Sequence, residues 1–158
     1  MSAVTTLERM ESSSNTRELL TLNVGDQIFG IPILQVQDVL GAQKITRVPL
    51  APPAIAGSLN LRGRIVTAIN MRACLGMPDR DAGAKTMSVV VENNGELYSL
   101  MIDSVGDVMN LPYSDYEKNP ATLSPQWRSL CQGIYRLKDK LLVVLDVPRL
   151  LEGLQPQE

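Results

Sequence analysis

Histidine is absent from the 158-residue chain. Its absence excludes Ser-His-Asp and Cys-His nucleophilic sites, a phosphoacceptor or haem-ligating histidine, and the usual zinc constellations. Cysteine is nearly absent as well. Cys74 and Cys131 lie far apart without metal-ligand spacing, and they read as buried or free thiols in a reducing compartment, so the cytoplasm is the expected location. Aromatic residues make up only 4%, too few for the stacking platforms on which single-strand binders hold bases. The 15 Lys and Arg against 17 Asp and Glu leave a net charge of −2 with no basic block, which disfavours nucleic acid as a partner. Long apolar runs are missing too, and Met1 to Glu18 has neither a basic start nor an apolar middle. No signal peptide and no membrane insertion are expected.

What is present is alternation. With 44% hydrophobic and 20% charged residues, the composition is that of one globular domain. Residues 1–18, with Ser12-Ser13-Ser14-Asn15, are polar and read as a flexible leader, and residues 155–158 as a short tail. From Leu19 the pattern Leu20-Thr21-Leu22-Asn23-Val24, the turn Gly25-Asp26 and Ile28-Phe29-Gly30-Ile31 predict a hairpin. Val89-Val90-Val91, the turn Asn93-Asn94-Gly95 and Leu97 to Ile102 predict another, since Asn-Gly favours the positive φ angles of two-residue turns.

These hairpins align without a gap at a spacing of 69 residues, Ile28 on Leu97, Phe29 on Tyr98, Val36 on Val105 and Asp38 on Asp107. A second alignment at a spacing of 76 sets Leu61 to Val66 on Leu137 to Leu142, and continues with Ile69 on Leu145, Asn70 on Asp146 and Leu75 on Leu151. The pairings imply an internal duplication, with a longer connector, Pro112 to Pro125, in the second half. Each unit supplies roughly five short strands, the makings of a small closed barrel, and each is too short of core to stand alone. The expected fold is therefore all-β with a few short helices: two five-stranded SH3-like or OB-like barrels packed on each other, with the seam as a natural groove. One helical turn is predicted at Pro52 to Gly57, and short helices at Met71 to Gly76 and Val147 to Gly153, each ended by glycine.

Few residues suggest chemistry. Arg62-Gly63 is the expected tip between two strands, where a guanidinium on a rigid turn suits a partner's carboxylates or carbonyls. Val36 and Asp38 continue an alternation in which valines point one way and polar residues the other. Asp103 and Asp146 are candidates for an acid-base pair, but match no catalytic signature and read better as local caps. Gly25, Gly30 and Gly41 lack any phosphate-cradling spacing. The methionines, Met71, Met77, Met87, Met101 and Met109 among them, read as fillers of core gaps. No cofactor and no metal are expected.

These motifs resemble a known family. Phe29-Gly30-Ile31, Val36-Gln37-Asp38-Val39, Ile45-Thr46-Arg47-Val48-Pro49, Gly57-Ser58-Leu59-Asn60-Leu61-Arg62-Gly63-Arg64-Ile65-Val66, Ile102 to Val108 and Leu142 to Val147 are similar to the CheW-type chemotaxis coupling proteins over residues 19–154. The Asn-Leu-Arg-Gly run is the most telling of them. The resemblance implies two interleaved small barrels and a non-enzymatic adaptor. Its partners would be the cytoplasmic tips of methyl-accepting receptors and the CheW-like regulatory domain of the CheA histidine kinase. It carries partner-binding roles onto Arg62, Asn60, Gly63, Val36, Asp38 and Gly57. Three departures from the pattern are Asp38 for the commoner glutamate, Asn70 for an aspartate, and Thr67-Ala68 without the frequent proline. The family also serves twitching and gliding pathways, so the behaviour controlled stays open, and the chain has no room for a receiver domain.

Overall fold

The computed structural model describes residues 16–78, 85–118 and 123–152. The elements run β1 (Thr16–Val24), β2 (Gln27–Pro32), β3 (Val36–Leu40), β4 (Ile55–Leu61), β5 (Arg64–Asn70), α1 (Met71–Cys74), β6 (Met87–Asn93), β7 (Glu96–Ile102), β8 (Ser104–Pro112), β9 (Tyr116–Lys118), α2 (Pro125–Arg128), β10 (Cys131–Arg136), β11 (Leu141–Leu145) and α3 (Val147–Glu152). The strands form a six-stranded sheet in the order β8-β1-β2-β11-β10-β9 and a five-stranded sheet in the order β3-β6-β7-β5-β4. The all-β class is as expected, but the closed barrels are not. Neither hydrogen-bonded order returns on itself: β8 and β9 end one sheet, β3 and β4 the other.

The duplication is written in the ladders. At the 69-residue spacing Leu22↔Phe29 of the first hairpin becomes Val91↔Tyr98 of the second. At 76 residues Asn60↔Ile65 becomes Arg136↔Leu141, and the irregularity between Ile55 and Gly57 recurs between Cys131 and Gly133. Even the parallel pairs correspond, Phe29↔Val143 with Tyr98↔Thr67 and Gly30↔Val144 with Ser99↔Ala68. The sheets are nevertheless not the repeats. Each joins the opening hairpin of one repeat to the closing hairpin of the other, so β3 to β7, consecutive in chain order, build the five-stranded sheet and the six-stranded one takes strands from both sides of them. The extra strand has a simple origin. In the longer second connector Tyr116–Lys118 pairs along β10, whereas the matching segment of the first repeat makes one bridge, Thr46↔Ser58.

Three apolar clusters hold this arrangement. Leu59, Val66 and Ala68 fill the inside of the five-stranded sheet, and their repeat mates Tyr135, Leu142 and Val144, with Leu19, fill the other. Between the sheets lies the main core, where Leu22, Phe29, Ile31 and Leu145 meet Val89, Leu100 and Ile102, closed by Met71 of α1 and Val147, Leu150 and Leu151 of α3. Trp127 of α2 lies against Phe29 at 5.4 Å between ring centroids and donates its indole N–H to the carbonyl of Leu75. Met77, Met87, Met101 and Met109 pack against these clusters, as expected of gap fillers.

Two local expectations are corrected. Thr16, Arg17 and Glu18, assigned to the leader, are strand, because the long β8 offers them ladder partners from Pro112 to Asn110 that outweigh their polarity. The single turn predicted at Pro52 to Gly57 forms, closed by the Ile55 N–H on the Pro52 carbonyl, but it ends earlier than expected, since β4 begins at Ile55. Gly57 is therefore no helix stop. A Cβ there would meet the Thr46 carbonyl oxygen at 2.2 Å, and one at its mate Gly133 would meet that of Glu117 at 2.3 Å. Both glycines let a neighbouring backbone approach. The helices at Met71–Cys74, followed by Gly76 at φ 71°, and at Val147–Glu152 are found where expected. Residues 1–15, with most of the expected leader, and residues 153–158, with Gly153 and the expected tail, lie outside the described residues.

Gly133→Ala is expected to lower unfolding free energy by about 1–3 kcal/mol, from overpacking against backbone that cannot yield. Urea denaturation checks it, and Gly63→Ala, with nothing within 4 Å but a positive φ of 85°, serves as the strain-only comparison.

Candidate functional site

The tip between β4 and β5 explains why the run Asn60-Leu61-Arg62-Gly63 is built as it is. A two-residue turn joins Leu61↔Arg64, and its central residues Arg62 and Gly63 both take positive φ, 53° and 85°. Such a turn matches the twist of the flanking strands. Glycine adopts that conformation freely, whereas a residue with a Cβ loses about 1 kcal/mol. Asn60 offsets the strain by accepting the Gly63 N–H on Oδ1 at 2.9 Å. The arginine is thus held out on a locked turn, its side chain 80% exposed.

Its guanidinium faces Asp38. Arg62 NH2 stands 3.2 Å from Asp38 Oδ2, while Asp38 Oδ1 accepts the N–H of Val39 at 2.9 Å. Oδ2 is itself shut away from solvent and gains no well-directed hydrogen bond, so the contact with Arg62 is a charge contact, leaving most of the guanidinium donors turned to solvent. The two residues line a pocket of about 180 Å³ with Gln37, Leu61, Arg64, Val90 and Leu97. Arg64 spans to the neighbouring turn, donating to the Gly95 carbonyl at 3.4 Å.

Four of the six candidate residues, Asn60, Arg62, Gly63 and Asp38, therefore come together. Val36 and Gly57 do not join them. Val36 packs against the main core, and Gly57 sits where β4 meets Thr46. The expected split of valines from polar residues along β3 is also overturned: Asp38 is half-buried and Val39 exposed. A bulge at Val36 to Asp38 against β6 shifts the register there. The Arg62 pocket is formed by the five-stranded sheet alone, and the seam has its own hollow of about 330 Å³ between α1, α2 and α3, lined by Ala73, Cys74, Gln126 and Leu150 among others. One exposed apolar side chain escaped the sequence reading. Ile65, paired with Asn60 on the same hairpin, is 72% exposed; its signal was an isoleucine out of phase with buried Val66 and Ala68.

The acid-base alternative fails on geometry. Asp103 receives Arg72 Nε at 3.1 Å, Arg72 NH2 at 2.6 Å and the Gly25 N–H at 2.8 Å. Asp146 accepts the Arg149 N–H at 3.1 Å at the start of α3, as its mate Asn70 accepts from Ala73 at the start of α1. Both carboxylates have structural duties in different places. Nor do the thiols offer a nucleophile: burial pushes Cys74 up to about 11 and raises Cys131 as well. Among the described residues no helix is long and apolar enough to cross a membrane.

The CheW-like domain family matches residues 18–155. The chain belongs to that family. It is 27% identical over 131 residues to the chemotaxis protein CheW of Rhizobium meliloti, covering 83% of this chain and 84% of that protein. It is also 27% identical to the CheW of Klebsiella aerogenes, over 97% of this chain and 92% of the other. Its fold matches the crystal structure of the scaffolding protein TtCheW from Thermoanaerobacter tengcongensis with a TM-score of 0.75 and 24% identity, covering 82% of this chain and 88% of that one. The protein is accordingly an adaptor of the CheW type and not an enzyme.

Cys74 is expected to resist alkylation in the native state at pH 8 while reacting in denaturant, as read by mass spectrometry. The raised thiol also makes stability fall as pH climbs from the ordinary thiol value of 9.0 toward 11, since there the unfolded chain releases a proton that the folded one keeps. Unfolding curves across that window check the sign.

Proposed function

We propose that the protein couples methyl-accepting chemoreceptors to a CheA-type histidine kinase, binding both and catalysing nothing. The receptor tip meets the Arg62 hairpin, and the kinase engages the adaptor through its own CheW-like regulatory domain. Supporting this is one observation above the rest: a strained, locked turn that projects an almost fully exposed arginine, tethered at one nitrogen to Asp38 and otherwise free to donate. A guanidinium so placed offers a fixed planar array of donors to a helix's carboxylates and carbonyls. Exposed Ile65 beside it adds apolar contact of the kind that a central anchor needs. Asn60 and Gly63 keep the turn in shape, Asp38 aims the arginine, and Gly57 and Val36 support the strands behind. The protein works in the cytoplasm, recruited to receptor arrays at the membrane without entering it. With an acidic balance and no basic block in its sequence, it has no nucleic-acid partner.

Arg62→Ala is expected to lower folding stability by only about 1 kcal/mol, since the arginine itself is exposed and the main cost is Asp38 Oδ2 left without its counter-charge. It is expected to weaken receptor-dependent kinase activation by about tenfold. Reconstitution of the adaptor with a CheA-type kinase and receptor cytoplasmic fragments measures the second, and thermal unfolding the first. Undiminished activation with a well-folded variant would refute the role given to this hairpin.

A further inference from the structure

The chain passes between the sheets at only two places among the described residues, from β2 to β3 through residues 33–35 and from β7 to β8 through Asp103 alone. The duplication makes these crossings equivalent, and at the 69-residue spacing the mate of Asp103 is Leu34. They are built very differently. Leu34 is 92% exposed. Asp103 is a junction: its N–H donates to the Asn23 carbonyl at 3.0 Å, Oδ2 accepts the Gly25 N–H from the β1–β2 turn, and both oxygens accept the Arg72 fork from α1. The third arm of the guanidinium, NH1, donates to the Pro78 carbonyl at 2.9 Å. With 17% and 24% of their side chains exposed, the two partners are shielded enough for the bidentate pair to be strong and directional. No such junction is possible at the other crossing, where the mates of Arg72 and Gly25 are Pro148 and Asn94.

We propose that Asp103 and Arg72 form a brace that sets the angle between the two sheets, making them positioning residues for coupling although neither lies on the Arg62 face. The brace links the β1–β2 turn of the six-stranded sheet, the crossing itself, and the helix that ends the last strand of the first repeat in the five-stranded sheet. The crossing at Leu34 has no such polar junction and is held by the packing of Ile33 and Val36 on the main core, so loss of the brace leaves apolar packing alone to set the angle and lets the sheets turn relative to each other while their shared core stays closed. An adaptor that holds two partners at once passes on their mutual geometry, and a change of angle uncouples them without abolishing either contact. This inference rests on the coupling function proposed above.

The test uses nitroxide labels at Glu18→Cys in β1 and Glu92→Cys in β6, both exposed and in different sheets, with the buried Cys74 and Cys131 left in place. Pulsed dipolar spectroscopy on the full chain is expected to give one narrow distance. Asp103→Ala, Asp103→Asn and Arg72→Lys are expected to displace or broaden it, Arg72→Lys least because it keeps the charge and loses the fork. In the reconstituted array the same variants are expected to lower receptor-dependent kinase activation about fivefold or more, in the same order, while binding of receptor fragment alone and kinase alone holds. An unchanged distance in the folded variants, a changed distance with full coupling, or loss of the fold in all three variants would each reduce the pair to a structural contact and overturn the proposal. Should Arg62→Ala leave coupling intact while the brace variants shift the distance and uncouple, the hairpin assignment falls and the brace stands.

Discussion

Burial of apolar surface between two sheets too small to stand alone is the constraint on which this protein depends. Inside the five-stranded sheet the fully enclosed side chains are Leu59, Val66 and Ala68, and inside the six-stranded one Leu19, Tyr135, Leu142 and Val144. At about 1.5–3 kcal/mol for each large side chain, neither set offsets the ordering of its strands, which costs about 1–2 kcal/mol per residue. The larger cluster between the sheets, from Leu22 and Phe29 to Leu100 and Ile102, adds the greater part of the apolar burial, and it exists only when both sheets are present. The hairpin turns, the short helices and the site are all carried by that seam.

Much of this was legible in the sequence because the pattern is repeated. Alternation placed the hairpins, and the spacings of 69 and 76 residues carried enough information to relate Leu22↔Phe29 to Val91↔Tyr98 and Asn60↔Ile65 to Arg136↔Leu141. Which hairpin would join which was not legible. Parallel contacts such as Phe29↔Val143 lie between residues more than a hundred positions apart, and period-two alternation marks a buried face without naming its neighbour. The closed barrels failed for a related reason. Whether the last strand reaches the first depends on connector length, and here the two connectors differ, one supplying β9 and the other a single bridge. The turn expected at Pro52 to Gly57 forms, but Gly57, read as its stop, serves instead to admit the Thr46 carbonyl.

The site was legible in part. Arg62-Gly63 was placed correctly at a tip because turn chemistry is local, and Asn60 fits the same turn. The contact of Arg62 with Asp38 joins β3 to the β4–β5 turn across intervening chain, which only the fold brings about. Val36 and Gly57 came from motif resemblance, which selects positions that matter without separating those that face a partner from those that support the strands. Ile65 was passed over because an apolar residue in a strand reads as core until its register is known. Asp103 was considered as an acid and is a structural junction, since a carboxylate's role depends on the donors around it, and Arg72 lies 31 residues away.

The placing of β3 to β7, consecutive in chain order, in one sheet, flanked in sequence by the two parts of the other, bears on how the molecule is made. On the ribosome the nascent five-stranded sheet has all its strands once Ile102 has emerged, while β2, made before it, waits for its parallel neighbour β11. At roughly ten residues per second that wait lasts about ten seconds, and the row of unpaired backbone groups along β2 is open to foreign strands for all of it. Until β11 emerges, the amino-terminal hairpin therefore carries an exposed sheet edge.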